Sequence, residues 1–361
     1  MDENGCRKGR GINAPASGGW VGMRRGLSAV KAIRGMACFM VLVGHAAGFS
    51  LKALTPFVGP LAKIGVWLFF VLSAFLLTLK ISASGISRRS MVEYGIGRFA
   101  RIVPMYWLAV CIYFFAGSAG IDSMADLFDA ALMRKGYAHL WTIPVEFKFY
   151  FLLPVIVLGV GYAGRLGVAG QVLACALIVL ACQALYPFWM TPENSVQMRW
   201  YVASFVIGVA CAVLYAQSDE QPSLRRVQLV ILLTVALLVL AMPVTRNILF
   251  GMPYGPWLRD KFVFISLIWG VFLFFCADRL SGAGLGRRIF DRIGECSFSI
   301  YLIHWLVMSR VSAMAGDSVS AFLACILASI IAGMILYYAV EAPLQRIRAA
   351  GLKRFSPMPA G

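Results

Sequence analysis

The stretch Ile33-Arg34-Gly35-Met36-Ala37-Cys38-Phe39-Met40-Val41-Leu42-Val43-Gly44-His45-Ala46-Ala47-Gly48-Phe49 decides how the chain is read. It is apolar enough to enter a membrane as a helix, yet it carries an arginine and a histidine. The two are eleven residues apart, close to a whole number of turns at 3.6 residues per turn. Both side chains therefore fall on one face, about 16 Å apart along the axis. Ionisable side chains in a bilayer are costly and turn toward a bundle interior or a wet cavity. This face is expected to line a reaction chamber, with Arg34 near one membrane surface and His45 deeper in.

The rest of the 361-residue chain has the same character. It is 60% hydrophobic and 14% charged, with a mean hydropathy of +0.80. Soluble domains are nearer half apolar and a quarter charged. Repeated runs of about twenty apolar residues imply an all-α, polytopic integral membrane protein. Ten spans are expected, over 29–50, 62–82, 100–118, 141–163, 167–187, 199–216, 227–244, 261–277, 293–312 and 319–340. An even count puts both termini on one side. That side then holds 23 Lys and Arg against eight on the other, so both termini are expected in the cytoplasm.

Residues 1–26 form an expected disordered basic tail, and 345–361 a basic cytoplasmic tail. No cleavable leader is expected at the N-terminus and no soluble catalytic domain after the last helix. The net charge of +17 is poor evidence for nucleic acid, because the basic residues sit in short loops. The nine cysteines lack CxxC spacing, so neither a disulfide framework nor a metal site is expected.

Four stretches can carry chemistry. Arg34 with His45 suggests a histidine general base, the alternative being a histidine bonded between helices. Arg98 and Arg101, three apart at the entry to the third span, share a helix face. They suit a polyanion such as a phosphate, or serve as ordinary membrane anchors. Glu146 lies just inside the fourth span on one face with Tyr150. It can orient an imidazole, bind a polar acceptor, or form a structural pair. His304, beside Trp305, is either a second membrane histidine with a task or a satisfied interhelical one. His139 reads as solvated outside the span, Ser73 as a small packing residue, and 122–133 as an amphipathic surface helix. No P-loop, HExxH or Gly-x-Ser-x-Gly is present.

In series, these stretches resemble the membrane acyltransferase family 3, which includes cell-surface polysaccharide O-acetyltransferases. Arg34, Gly35 and His45 match its first-helix pattern, and Gly65 to Phe75 its Gly-Val-Asp-Leu-Phe-Phe-Val-Leu-Ser-Gly-Phe segment. Trp67 stands there for the usual aspartate and Ala74 for the usual glycine. Arg98, Arg101, Ile102, Pro104 and Tyr106 match Arg-x-x-Arg-Ile-x-Pro-x-Tyr. Trp141, Thr142, Val145, Glu146, Phe149 and Tyr150 match the Trp-Thr-Leu-x-Val-Glu-x-x-Phe-Tyr element. Gly294, Ser297, Ile300, Tyr301, Leu302, His304 and Trp305 match Gly-x-x-Ser-x-x-Ile-Tyr-Leu-x-His-Trp, and Tyr337, Tyr338, Glu341 and Pro343 the closing element.

The resemblance covers about 27–344. It implies transfer of an acyl group, most often acetyl, from cytoplasmic acyl-CoA to a hydroxyl of a cell-surface or lipid-linked carbohydrate, in a bacterial inner membrane. His45 and Glu146 would be catalytic; Arg34, Arg98, Arg101 and Tyr106 would hold the donor. Acyl-CoA, the glycan acceptor and membrane lipids are the implied partners, with no metal and no nucleic acid. The competing readings are a transporter or flippase of a lipid-linked intermediate, and O-acylation of a small molecule such as a macrolide.

Overall fold

The computed structural model describes residues 27–218, 220–252, 262–278 and 284–354; the expected 1–26 tail and the end of the basic tail lie outside them. Helices dominate because the apolar runs must satisfy their own backbone polar groups. In chain order the main helices are α1 (Val30–Ser50), α2 (Leu61–Ser84), α3 (Arg88–Phe115), α4 (Met124–Ala131), α5 (Thr142–Ala163), α6 (Gly167–Leu185), α7 (Val202–Gln217), α8 (Leu224–Ala241), α9 (Phe262–Cys276), α10 (Leu285–Glu295), α11 (Ser297–Ala315), α12 (Val319–Leu336) and α13 (Ala342–Arg354), with further short helical pieces such as Thr55–Val58 and Pro243–Phe250 between them. No strand occurs among the described residues.

Seven stretches are long and apolar enough to cross a membrane, and α7 and α9 are shorter apolar helices. One of the seven, Ala138–Leu185, contains both α5 and α6, which the turn Gly164–Leu166 separates, with Gly167 at a φ of 78° opening α6. The third segment begins a dozen residues earlier than expected, because Ser87 caps α3 and shares a capping box with Ser90. The amphipathic helix expected at 122–133 is α4, capped by Ser123.

The loop expected over 278–292 contains α10 instead. Arg288 and Arg292 are exposed, while Ile293 and Gly294 turn inward against α1. The contact rests on two glycines. A Cβ at Gly35 would fall on the Phe290 carbonyl, and one at Gly294 on the Lys31 carbonyl. Arg287 adds a hydrogen bond to the Ser28 carbonyl.

Helix α2 runs through the middle of the bundle, against α1, α5, α7 and α9. Ala74 is fully buried, and its methyl is accommodated because α7 presents Gly208 opposite it. Trp67 is also buried, packed on Tyr201 and Phe262 at ring-centroid distances of 5.8 and 5.2 Å. At that position the protein has an aromatic wall and no carboxylate. Between α12 and α13 the helix widens to a π turn over Tyr337–Glu341, which buries Glu341. Glu341 accepts from Ser299 at 2.5 Å and from Gln345 at 2.7 Å.

Candidate active site

The inward face of α1 looks onto three cavities in a row. The first, about 240 Å³, lies toward one end of the bundle. Arg34, Lys80, Arg98 and Arg101 face it, with Glu146 and Tyr150 on its wall. Among the described residues, Arg34, Arg98 and Arg101 form no salt bridge, and only Glu146 brings a carboxylate to this cavity. Arg98 sits 5.9 Å from the Tyr150 ring centroid. A cluster of guanidinium groups without carboxylate partners is a ready site for a polyanion.

The second cavity is a neck of about 60 Å³. It shares Arg34, Phe69, Ser73, Glu146 and Phe298 with the basic cavity. It shares Val66 and Tyr301 with the third, a cavity of about 250 Å³ toward the opposite end. That third cavity is lined by His45, Lys63, His139, Trp141, Asn194 and Trp305, among others. So Arg34 and His45, on one face of α1, line two chambers, each of which shares wall residues with the neck between them.

The three histidines of the chain meet at the far chamber. Nδ1 of His45 lies 2.9 Å from Nε2 of His304, the rings nearly parallel at 6°. The other nitrogen of His304, Nδ1, lies 2.7 Å from the Tyr301 carbonyl oxygen. A carbonyl only accepts, so Nδ1 of His304 carries the proton. In a neutral ring its Nε2 must then accept, and His45 donates from Nδ1. The consequence is a fixed tautomer: Nε2 of His45 keeps its lone pair and has no hydrogen-bond partner among the described residues. Trp305 holds the His45 ring edge-on, with 5.2 Å between centroids. Such an arrangement allows one imidazole to act as a base while the other orients it.

His139 is not solvated. It is 3% exposed, stacked on Trp305 at 5.7 Å and edge-on to His304 at 4.5 Å. A short turn, Ala138–Trp141, carries it into the bundle instead of out to the surface. Lys63 donates to Asn194 at 2.6 Å and rests 4.4 Å over the Trp141 ring.

Glu146 makes no hydrogen bond to His45. Its Oε1 accepts from both the Ser73 hydroxyl and the Tyr150 hydroxyl, at the junction of the basic cavity and the neck. Ser73 is therefore a polar member of the site as well as a packing residue. Tyr106 stands apart: it is buried and its hydroxyl donates to the Ala130 carbonyl at 2.9 Å, tying α3 to the end of α4. Of the sequence candidates, the structure gathers Arg34, Arg98, Arg101 and Glu146 at one end, places His45 beyond the neck, and leaves Tyr106 outside. Sequence reasoning missed the His45–His304 pair and the placement of His139. The presence of just three histidines in 361 residues was the available signal.

The model of the acyltransferase domain family, Acyl_transf_3, matches residues 27–338. The chain belongs to this family, which makes it a membrane acyltransferase in the general sense. No curated protein and no solved structure matches the chain.

Proposed function

We propose that the protein is a membrane O-acyltransferase of about ten spans, with both termini cytoplasmic, in a bacterial inner membrane. It moves an acetyl group from cytoplasmic acetyl-CoA to a hydroxyl of a cell-surface or lipid-linked carbohydrate. One observation carries this reading: guanidinium groups without carboxylate partners surround a chamber that a neck joins to a histidine of fixed tautomer. Coenzyme A has the matching shape, phosphates at one end and a long narrow arm that ends in the thioester.

In this mechanism Arg98 and Arg101 hold the phosphates, with Arg34 assisting, and the arm threads the neck. The acceptor hydroxyl approaches from the far chamber. His45 Nε2 takes its proton as the oxygen attacks the thioester carbonyl. The C–S bond then breaks, and the coenzyme A thiolate leaves and recovers the proton from the imidazolium. His304 accepts from Nδ1 of His45 throughout, so the charge that develops on His45 is met by a fixed acceptor. A narrow neck keeps bulk water from the thioester.

The test is a thioester assay on purified protein. Free coenzyme A should appear only when acetyl-CoA and an acceptor are both present. Movement of a glycolipid between leaflets with no coenzyme A release, under any acceptor, would contradict the proposal and favour a flippase.

A further inference from the structure

Glu146 has one oxygen in use and one to spare. Ser73 and Tyr150 both donate to Oε1, while Oε2 has no protein partner among the described residues. Nor is Oε2 sealed off, since it is not among the covered polar atoms that lack a hydrogen bond. Glu146 lines both the basic cavity and the neck, the only path between the phosphates and His45 in the mechanism above. The two hydroxyls that hold Oε1 fix the carboxylate plane, so the direction of Oε2 is set before any ligand arrives. A fixed, unpaired carboxylate oxygen calls for an N–H or O–H donor.

The rest of the neck narrows the choice of ligand. Val66, Phe69, Phe70, Ile143 and Phe298 give it apolar walls. The Thr142 and Tyr301 hydroxyls in it are already engaged with each other at 2.8 Å, and Tyr301 also bonds the His139 carbonyl at 2.6 Å. Ser297 is engaged with the Gly294 carbonyl at 2.9 Å, and Arg34 lines the side shared with the basic cavity, so beyond Arg34 the neck suits a slender, mostly apolar chain bearing an occasional N–H.

We propose that Glu146 is a donor-binding residue: its Oε2 accepts an amide N–H of the pantetheine arm. The residue then sets how far the thioester advances toward His45, and selects donors by the arm and not by the nucleotide. This rests on the acyl-CoA reading above, and it gives Glu146 a task distinct from orienting His45.

The experiment is a cycle between enzyme and donor. The enzymes are the wild type, Glu146→Gln and Arg98→Ala. The donors are acetyl-CoA, S-acetylpantetheine and an S-acetylpantetheine analogue with ester oxygens in place of the amide N–H groups. Gln keeps an oxygen for Ser73 and Tyr150 but turns the other position into an NH2 donor. Its KM for acetyl-CoA and S-acetylpantetheine should rise about 10- to 100-fold, the loss of one charge-assisted hydrogen bond. The wild type should lose a similar factor on the ester analogue, and Glu146→Gln should lose little more on passing to it, because both changes remove the same contact. Arg98→Ala should weaken acetyl-CoA but not S-acetylpantetheine, which has no nucleotide.

Equal penalties for Glu146→Gln on the amide and ester donors would overturn the proposal, as would a fall in kcat with KM unmoved. Tyr150→Phe, which keeps Oε2 and removes one of its supports, separates lost folding from lost contact. It should raise KM on the amide donors by less than Glu146→Gln does, and an equal or larger rise in this cycle counts against the proposal. The two readings fail separately. Donor turnover that depends on His45 but ignores the amide upholds the acyltransferase and removes the role of Glu146, whereas no thioester turnover at all removes both.

Discussion

At the scale of the residue, the site depends on which nitrogen of His45 is free. The Tyr301 carbonyl fixes His304, and His304 fixes His45. His304→Ala removes the orienting acceptor but leaves the base. The expected outcome is a fall in kcat of about 10²-fold or more with the KM for acetyl-CoA little changed, measured by coenzyme A release. Arg98→Ala and Arg101→Ala should act in the opposite sense, raising that KM with a smaller effect on kcat; unchanged acetyl-CoA affinity in both variants would remove their role. Tyr106→Phe should cost about 0.5–1.5 kcal/mol of stability through its lost bond to Ala130, without altering donor KM. Arg34, His45 and Glu146 were legible in the sequence because a charge in an apolar run is conspicuous. The His45–His304 contact was not, since it joins residues 259 apart and only helix packing creates it.

Elements differ in how plainly the sequence announces them. The apolar helices have a simple cause, a run long enough to satisfy its backbone within lipid, and the expected apolar segments are helical, although the one expected over 293–312 is divided at Cys296 between α10 and α11. Helix α10 failed that test of composition. Leu285–Glu295 carries three arginines and reads as a basic loop, yet it is helical and buries Ile293 and Gly294 where it meets α1. Its decisive residues, Gly35 and Gly294, have no side chain to form a pattern. Gly35→Ala should push α10 from α1 and lower the thermal midpoint in detergent, with a cost of about 1–3 kcal/mol from overpacking. An unchanged midpoint would mean that the two helices part without penalty.

Helix α4 offers a pH test in the same class. The Ser123 and Tyr137 hydroxyls hold the Asp126 carboxyl at about 2, below its ordinary 3.8. A depressed carboxyl stabilises the fold above its ordinary value, and the contribution is lost as pH falls through about 2. The α4 cap should therefore outlast pH 3 in the wild type, and Asp126→Asn should remove the pH dependence of its amide protection, measured relative to intrinsic exchange.

The whole molecule is a bundle with two chambers facing opposite ends. The arginines stand at one, the histidines at the other, and the neck between them is smaller than either. Polarity of this kind was partly visible in the sequence, where Lys and Arg gather in alternate loops. The cavities were not, because they are shaped by side chains from distant segments. The arrangement predicts sidedness: in sealed vesicles of one orientation, acetyl-CoA should act from the arginine side and the acceptor from the histidine side. Transfer with both substrates confined to the histidine side would contradict it.

The most direct measurement is transfer of radiolabelled acetyl from acetyl-CoA to membrane glycans and lipids by wild type and by His45→Ala, each shown to be folded in the membrane. The proposed mechanism predicts labelled product with the wild type and background with His45→Ala, while acetyl-CoA binding persists in both. Near-normal labelling by His45→Ala would contradict the assignment of the base, and with it the central claim.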